Sequence, residues 1–181
     1  MEYDLIRLFD HEKLCLFEYI AAAIVTFDPD GINQCVIHVT WRRSAGEVES
    51  ETNLTLKWNL DAIRARHPMI DRQLQSFREW DEDQSERTEH AAIVVAVAVM
   101  ESLEPGSRFT FRLAPGKRHD YCLNETQDEM IEIAGRWKDG LQDLFDTKRA
   151  QSDLYPNLRK RWVSVTIARE TPRNRTEGLH S

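Results

Sequence analysis

Cysteine is scarce in this 181-residue chain, and its three occurrences, Cys15, Cys35 and Cys122, lie far apart in the sequence. No Cys-x-x-Cys or His-x-x-x-His spacing is present to indicate a zinc site. Scattered cysteines in apolar or strand-like surroundings are typical of free thiols in a reducing compartment. We therefore expect free cysteines and a cytoplasmic location, without a disulfide framework.

A long uninterrupted apolar run is also absent. The longest one, residues 91–100, is too short to cross a bilayer, which takes about 20 apolar residues in a helix. The N-terminal sequence MEYDLIRLFDHEKL has neither the basic start nor the apolar core of a signal peptide. These absences predict a soluble protein that has no membrane partner.

Positive charge is in deficit as well, with 24 Lys and Arg against 31 Asp and Glu, a formal net charge of -7 and a pI near 5.4. This balance argues against a general polyanion-binding protein, because nonspecific nucleic-acid affinity comes mainly from phosphate neutralisation by basic side chains. Nucleic acid stays a possible partner through the local patches WRR (41–43) and NLRKRW (157–162), although exposed strand ends have the same composition. Glycine-rich phosphate loops, nucleophile elbows and His/Cys catalytic pairs are missing.

The chain does contain enough apolar residues, 41%, for one well-packed domain or for a core with an extension. Helical spacing of apolar residues predicts a helix over about residues 10–25. Two β-rich runs, QCVIHVTW (34–41) and NLTLKW (53–58), predict an antiparallel hairpin. Helical spacing then returns from Leu60 to Phe77, interrupted at Pro68. Residues 1–80 are thus predicted to form an N-terminal α+β region of helix, hairpin and helices.

A second region is predicted over residues 83–169, after the charge-dense boundary EWDEDQSE. The run 91–100 fits a helix or a buried strand, and its length and the capping residues Asp83 and Ser85 favour a helix near 86–102. Strand candidates RFTFRL (108–113), HDYCL (119–123) and MIEIAG (130–135) follow. A helix near 136–151, the strand RWVSVTIA (161–168) and a flexible tail at 170–181 complete the prediction.

This αβββαβ order of predicted elements resembles the core of the PD-(D/E)xK nuclease-like superfamily. The resemblance implies a restriction-endonuclease-like α/β core. In that family a hairpin strand carries Asp, the next strand carries Asp or Glu followed two residues later by Lys, and the preceding helix often supplies Glu. Asp120, Glu132 and Glu89 match these positions, and the resemblance makes Asp120 and Glu132 ligands of Mg²⁺ or Mn²⁺. Ala134 stands where the lysine is expected.

Strand geometry bears on the two carboxylates without the family. Side chains alternate across a strand, so Glu132 and Ala134 share one face, and Asp120 joins them if both strands pack their apolar sides on one core. Two carboxylates held together can coordinate a hard cation such as Mg²⁺. The alternative is that Asp120 and Glu132 belong to the ordinary solvated side of an antiparallel sheet.

The missing lysine predicts either inactivity or a replacement from elsewhere, because a lysine at such a site stabilises developing charge. Lys138 and Lys117 are the candidates, and both also fit ordinary surface positions. His119 next to Asp120 is either a supporting acid or a surface histidine. His90 is about 100° from Glu89 on a helix and is not expected to share its face.

The chain also resembles small bacterial proteins that combine a Glu-x-Ala-Ala helix, a Gly-x-x-x-Asp-Tyr strand and a Glu-x-(Ser/Ala)-Gly strand. Two function classes follow. The first is a non-catalytic nuclease-like subunit or adaptor of a bacterial assembly, such as a defence-related or toxin-related one, with a protein partner or a second copy of itself. The alternative is a Mg²⁺-dependent nuclease acting on DNA or RNA. Divalent-metal binding distinguishes the two.

Overall fold

The computed structural model shows a mixed α/β fold in which one eight-stranded sheet is packed between helices. It describes residues 1–28, 31–44, 46–79, 84–112, 120–125, 128–137, 139–154, 157–168 and 172–180.

The first half of the chain contains the predicted hairpin and helices. The predicted helix over 10–25 is only partly α-helical, because Leu5–Leu14 and Leu16–Tyr19 are 3-10 helices that precede α1. Pro68 separates two helices as expected, and Asn59 caps the first of them by accepting a hydrogen bond from the amide of Ala62. The elements are β1 (Glu2–Asp4), α1 (Ile20–Phe27), β2 (Gln34–Arg42), β3 (Ser50–Lys57), α2 (Leu60–Arg66) and α3 (Ile70–Glu79).

The second half follows the predicted order of helix, three strands, helix and strand. The apolar run 91–100 is helical, which decides the ambiguity in its periodicity. The second helix begins at Leu141 rather than at residue 136, directly after Gly140, whose φ of 104° is left-handed. The elements are α4 (Gln84–Leu103), β4 (Phe109–Arg112), β5 (Tyr121–Leu123), β6 (Glu129–Arg136), α5 (Leu141–Asp153), β7 (Lys160–Ile167) and β8 (Arg173–His180).

The strand order across the sheet is β1-β3-β2-β8-β7-β6-β5-β4. Pairs β1/β3, β2/β8 and β6/β7 are parallel, and the remaining neighbours are antiparallel. The sheet therefore includes strands from both predicted regions, 1–80 and 83–169.

Two helical layers cover opposite faces of β6 and β7. Ile131 and Ile133 lie in the main core cluster with the apolar residues of α4, whereas Val163 and Val165 form a second cluster with Phe145 of α5. Within the described residues, none of the helices combines the length and the hydropathy needed to cross a bilayer.

The C-terminal residues correct the prediction of a flexible tail at 170–181. Residues Arg173–His180 form β8, which lies between β2 and β7. Apolar periodicity is missing because most buried side chains of this strand are polar: Asn174 donates hydrogen bonds to Ser164 and Thr166, and Thr176 donates to Ser164. Burial of such groups is tolerated because each one has a hydrogen-bond partner.

The three cysteines are free thiols. Cys35 and Cys122 are buried, in agreement with their strand-like sequence context. Cys15 is exposed instead, at a left-handed backbone position with φ 51° between the two 3-10 helices.

Ile133 offers a direct test of this core. Its side chain is 7% exposed and packs beneath α4. Ile133→Ala should lower the free energy of unfolding by about 2 to 5 kcal/mol, because it removes a packed side chain and leaves a cavity. Chemical denaturation measures the change, and an unchanged midpoint would contradict the position of β6 in the core.

Candidate functional site

Asp120 lies immediately before β5, beside the edge of β6. Its Oδ2 accepts a hydrogen bond of 2.6 Å from the backbone N–H of Ile133, and its own N–H donates to the carbonyl of Ile131 at 3.1 Å. The carboxylate is therefore held along the edge of β6, next to Glu132.

Glu132 lies within β6 and is 6% exposed, so it does not belong to a solvated sheet face. Its Oε1 accepts a hydrogen bond from Nζ of Lys148 at 2.6 Å. Burial raises the pKa of Glu132 above its ordinary value, the hydrogen bond from Lys148 opposes that change, and the nearby charge of Asp120 adds to it. The two carboxylates are thus within electrostatic reach of each other.

Lys148 of α5 is the site residue that the sequence analysis missed. The sequence does indicate its position, because the spacing of α5 puts Lys148 on the apolar face of the helix. The residues of that face follow the i, i+3, i+4, i+7 pattern: Leu141, Leu144, Phe145 and Lys148. A lysine on the apolar side of an amphipathic helix has to reach a carboxylate or solvent. Here it crosses to β6 and meets Glu132.

A cavity of about 220 Å³ is lined by Asp120 and Lys148 together with residues of α4, and Glu132 lies beside it without lining it. Glu89 lines it, as expected for the helical carboxylate, and is exposed. His90, the next residue of α4, lines it too. The full lining is Glu89, His90, Ile93, Asp120, Tyr121, Ile133, Ala134 and Lys148.

Gly135 explains how α4 approaches β6 closely enough to bring Glu89 to the cavity. A Cβ at this position would overlap the carbonyl oxygen of Thr88 and would touch Cβ of Ala92. Glycine permits this contact between helix and strand. The two small residues of the sequence IEIAG therefore have different roles. Gly135 allows α4 to pack closely on β6, and Ala134 lines the same cavity as Lys148.

The His90 ring is held by aromatic neighbours. It packs on Tyr19 with 4.7 Å between ring centroids, and it meets Phe77 edge-on at 6.4 Å. Its Nε2 lies 3.9 Å from Glu86 one helical turn earlier. These contacts give the cavity a rigid, partly aromatic wall beside the carboxylates.

The remaining candidate residues, Lys138, Lys117 and His119, lie outside the described residues. Among the residues that the structure describes, no group of three or more His, Cys, Asp or Glu side chains could hold a metal ion.

The two basic patches seen in the sequence are largely neutralised by ion pairs. Arg42 pairs with buried Glu177 at 2.7 Å, and Arg43 pairs with Glu104 at 3.0 Å. In the second patch, Lys160 lies 3.5 Å from Glu104. Such pairing favours the interpretation of these patches as strand ends over phosphate-binding surfaces.

No family model, curated protein or solved structure matches this chain. Function is therefore argued from the geometry of the site.

Proposed function

We propose that this protein is a metal-dependent nuclease of the PD-(D/E)xK type, with Asp120, Glu132 and Lys148 at its active site. The arrangement of its second half supports the proposal. The helix α4, the strands β4, β5 and β6, the crossover helix α5 and the parallel strand β7 follow the αβββαβ order, and the four strands are neighbours in the sheet.

The observation that carries the proposal is the position of Lys148. The family places its lysine two residues after the strand glutamate, where this chain has Ala134. Nζ of Lys148 lies 2.6 Å from Glu132 and lines the same cavity as Asp120 and Ala134. A lysine delivered from α5 thus occupies the space that the small side chain of Ala134 leaves, and supplies the missing positive charge.

The donor set fits a hydrated Mg²⁺ or Mn²⁺. Both ions prefer oxygen ligands, and Mg²⁺ commonly binds through one or two carboxylates while it keeps several waters. Asp120 and Glu132 would hold the ion, which would supply an activated water and neutralise charge on a phosphodiester. The raised pKa of Glu132 implies that binding weakens at acidic pH, where the carboxyl is protonated and cannot ligate.

The protein side chains have separate tasks in this proposal. Lys148 stabilises negative charge on the phosphate and orients the attacking water by hydrogen bonding. The backbone N–H of Ile133 fixes the Asp120 carboxylate against β6. Glu89 and His90 line the opposite wall, where they contact the entering substrate.

Asp120→Asn and Glu132→Gln test the proposal. Each variant should reduce Mg²⁺- or Mn²⁺-dependent cleavage of single-stranded DNA, duplex DNA or RNA by about a hundredfold or more, because metal-ion chemistry contributes several kcal/mol to such reactions. Glu2→Gln, an exposed carboxylate paired with Lys57 on the far side of the sheet, is the matched control and should cleave normally. Far-ultraviolet circular dichroism checks that each variant is folded.

Wild-type protein that cleaves none of these substrates with either metal would contradict the nuclease proposal. Cleavage that persists unchanged in both site variants would place the activity elsewhere or in a contaminant.

A non-catalytic subunit or adaptor is the second candidate function. It is favoured by the internal ion pair of Glu132 with Lys148, which already satisfies one carboxylate oxygen, and by the net charge of -7. Calorimetric titration with Mg²⁺ and Mn²⁺ separates the candidates. An adaptor should show no binding that Asp120→Asn removes, whereas the nuclease should show such binding.

A further inference from the structure

A second and larger cavity, of about 1040 Å³, shares no lining residue with the Asp120 site. It lies between the 3-10 helix Leu5–Leu14, the C-terminal end of α4 and strand β4. Its size is at the upper end of the range usual for sites that bind small organic molecules.

One wall of this cavity is fixed by a network of hydrogen bonds around Glu101. Glu101 of α4 accepts a hydrogen bond from Nη2 of Arg7 at 2.6 Å and lies 2.6 Å from Nε2 of His11. The His11 and Glu101 side chains are 7% and 13% exposed. Because each carboxylate oxygen has its own partner, the network ties the N-terminal segment to α4 and gives the wall a defined shape.

The rim carries charged side chains that the protein does not neutralise. Lys13, Arg108, Asp10 and Glu125 all line the cavity and are exposed, and within the described chain none of the four makes an ion pair. Below them the floor is apolar and includes Phe9 and Phe109, each of which is 5% exposed. A bare inorganic anion would use the two cations and leave the two carboxylates and the floor without a role.

We propose that this cavity binds a phosphate ester of a sugar or nucleoside, such as a nucleoside monophosphate. Lys13 and Arg108 supply cationic donors for the phosphate. Asp10 and Glu125 only accept hydrogen bonds when ionised, so they match hydroxyl groups of a sugar. The apolar floor offers a base only a small contact, because the ring of Phe9 is stacked on Phe17 and covered by Arg66. The site is independent of the proposed nuclease centre.

Isothermal titration calorimetry with adenosine monophosphate, ribose 5-phosphate, adenosine and inorganic phosphate tests the proposal and separates its parts. Adenosine monophosphate should bind tightest of the four, and ribose 5-phosphate should bind more tightly than inorganic phosphate. In the double variant Lys13→Glu, Arg108→Glu the affinity for adenosine monophosphate should fall at least about tenfold, because two charge-assisted contacts are reversed. Both positions are exposed, so the fold should tolerate the changes.

Lys57→Glu, which reverses an exposed lysine on β3, is the matched control and should bind like the wild type. Asp120→Asn should also bind normally, so this result is separate from that of the nuclease assay. The proposal is overturned if neither phosphate ester binds, if the double variant binds as tightly as the wild type, or if adenosine or inorganic phosphate alone matches adenosine monophosphate.

Discussion

Lys148→Met should destabilise the protein by about 3 to 5 kcal/mol at pH 8, because removing one partner of a buried ion pair leaves the other charge uncompensated. Glu132 is 8% exposed at its side chain, and Lys148 is 23% exposed. Methionine keeps most of the aliphatic length that packs between α5 and β6. The loss should therefore come from the charge of Glu132 and not from a cavity.

The pH dependence of this loss follows from the pKa of Glu132. That pKa is already above the ordinary value of 4.5, and Lys148 is what restrains it. In Lys148→Met the folded-state pKa rises further, so the folded protein holds a proton that the unfolded chain has released. A carboxyl with a raised folded pKa is most favourable below its unfolded pKa, and stability falls as pH rises from there through the folded pKa.

The free energy of unfolding of Lys148→Met should accordingly be closest to that of the wild type near pH 4 and furthest below it near pH 8. Urea denaturation across this pH range provides the measurement. The double variant Glu132→Gln, Lys148→Met should recover part of the loss at pH 8, since no buried charge is left. Lys57→Met breaks an exposed pair and should change stability by less than about 1 kcal/mol. A loss in Lys148→Met that does not vary with pH would contradict the charge explanation.

The elements around the site were accessible from sequence because each one has a local signal. Strands near 119–123 and 130–135 show apolar alternation bounded by turns, and the run 91–100 has the length of a helix with caps before it. Side-chain alternation and the hairpin connection together indicated that Asp120, which precedes β5, lies near Glu132 of β6. Local periodicity was thus sufficient to predict each helix or strand that buries an apolar face.

Lys148 was not predicted because its role depends on a nonlocal event, the packing of α5 across β7 with one side turned to β6. Sequence spacing places Lys148 on the apolar face of α5 but does not say which strand that face covers. Lys138 and Lys117 were candidates for the missing lysine only because they are close in sequence to the carboxylates. Distance along the chain is a poor guide to which side chain completes a site across a crossover helix.

The C-terminal strand escaped prediction for a different reason. In its sequence RNRTEGLH the positions from Thr176 to Leu179 are all buried, and the buried residues include the polar side chains of Asn174, Thr176 and Glu177. Glu177 is fully buried and pairs with Arg42 of β2, a residue more than a hundred positions away. A polar strand is stable in the interior only with such partners, and its sequence alone does not show that they exist.

Deleting residues 172–181 should abolish the cooperative folding of the whole protein, an outcome opposite to that expected for a flexible tail. Strand β8 lies between β2 and β7 in the sheet of the described residues, so its loss would split that sheet and expose the edges of both neighbours. The cost should exceed the 5 to 15 kcal/mol or so that holds a typical domain together. Circular dichroism and thermal unfolding of the truncated chain provide the measurement.

Point variants keep this prediction testable if the truncated chain aggregates. Asn174→Leu should cost about 1 to 3 kcal/mol, because the buried hydroxyl groups of Ser164 and Thr166 lose the amide that donates to them. Arg173→Leu, at the exposed neighbouring position of the same strand, should change stability by no more than about 0.5 kcal/mol. A truncated protein that unfolds with the wild-type midpoint, or equal effects of the two point variants, would mean that β8 does not join the two halves of the sheet. Loss of cooperative folding on truncation, with a larger effect of Asn174→Leu than of Arg173→Leu, would show that β8 holds β7 in place. The positions of β6 and Glu132 would then depend on β8 through β7.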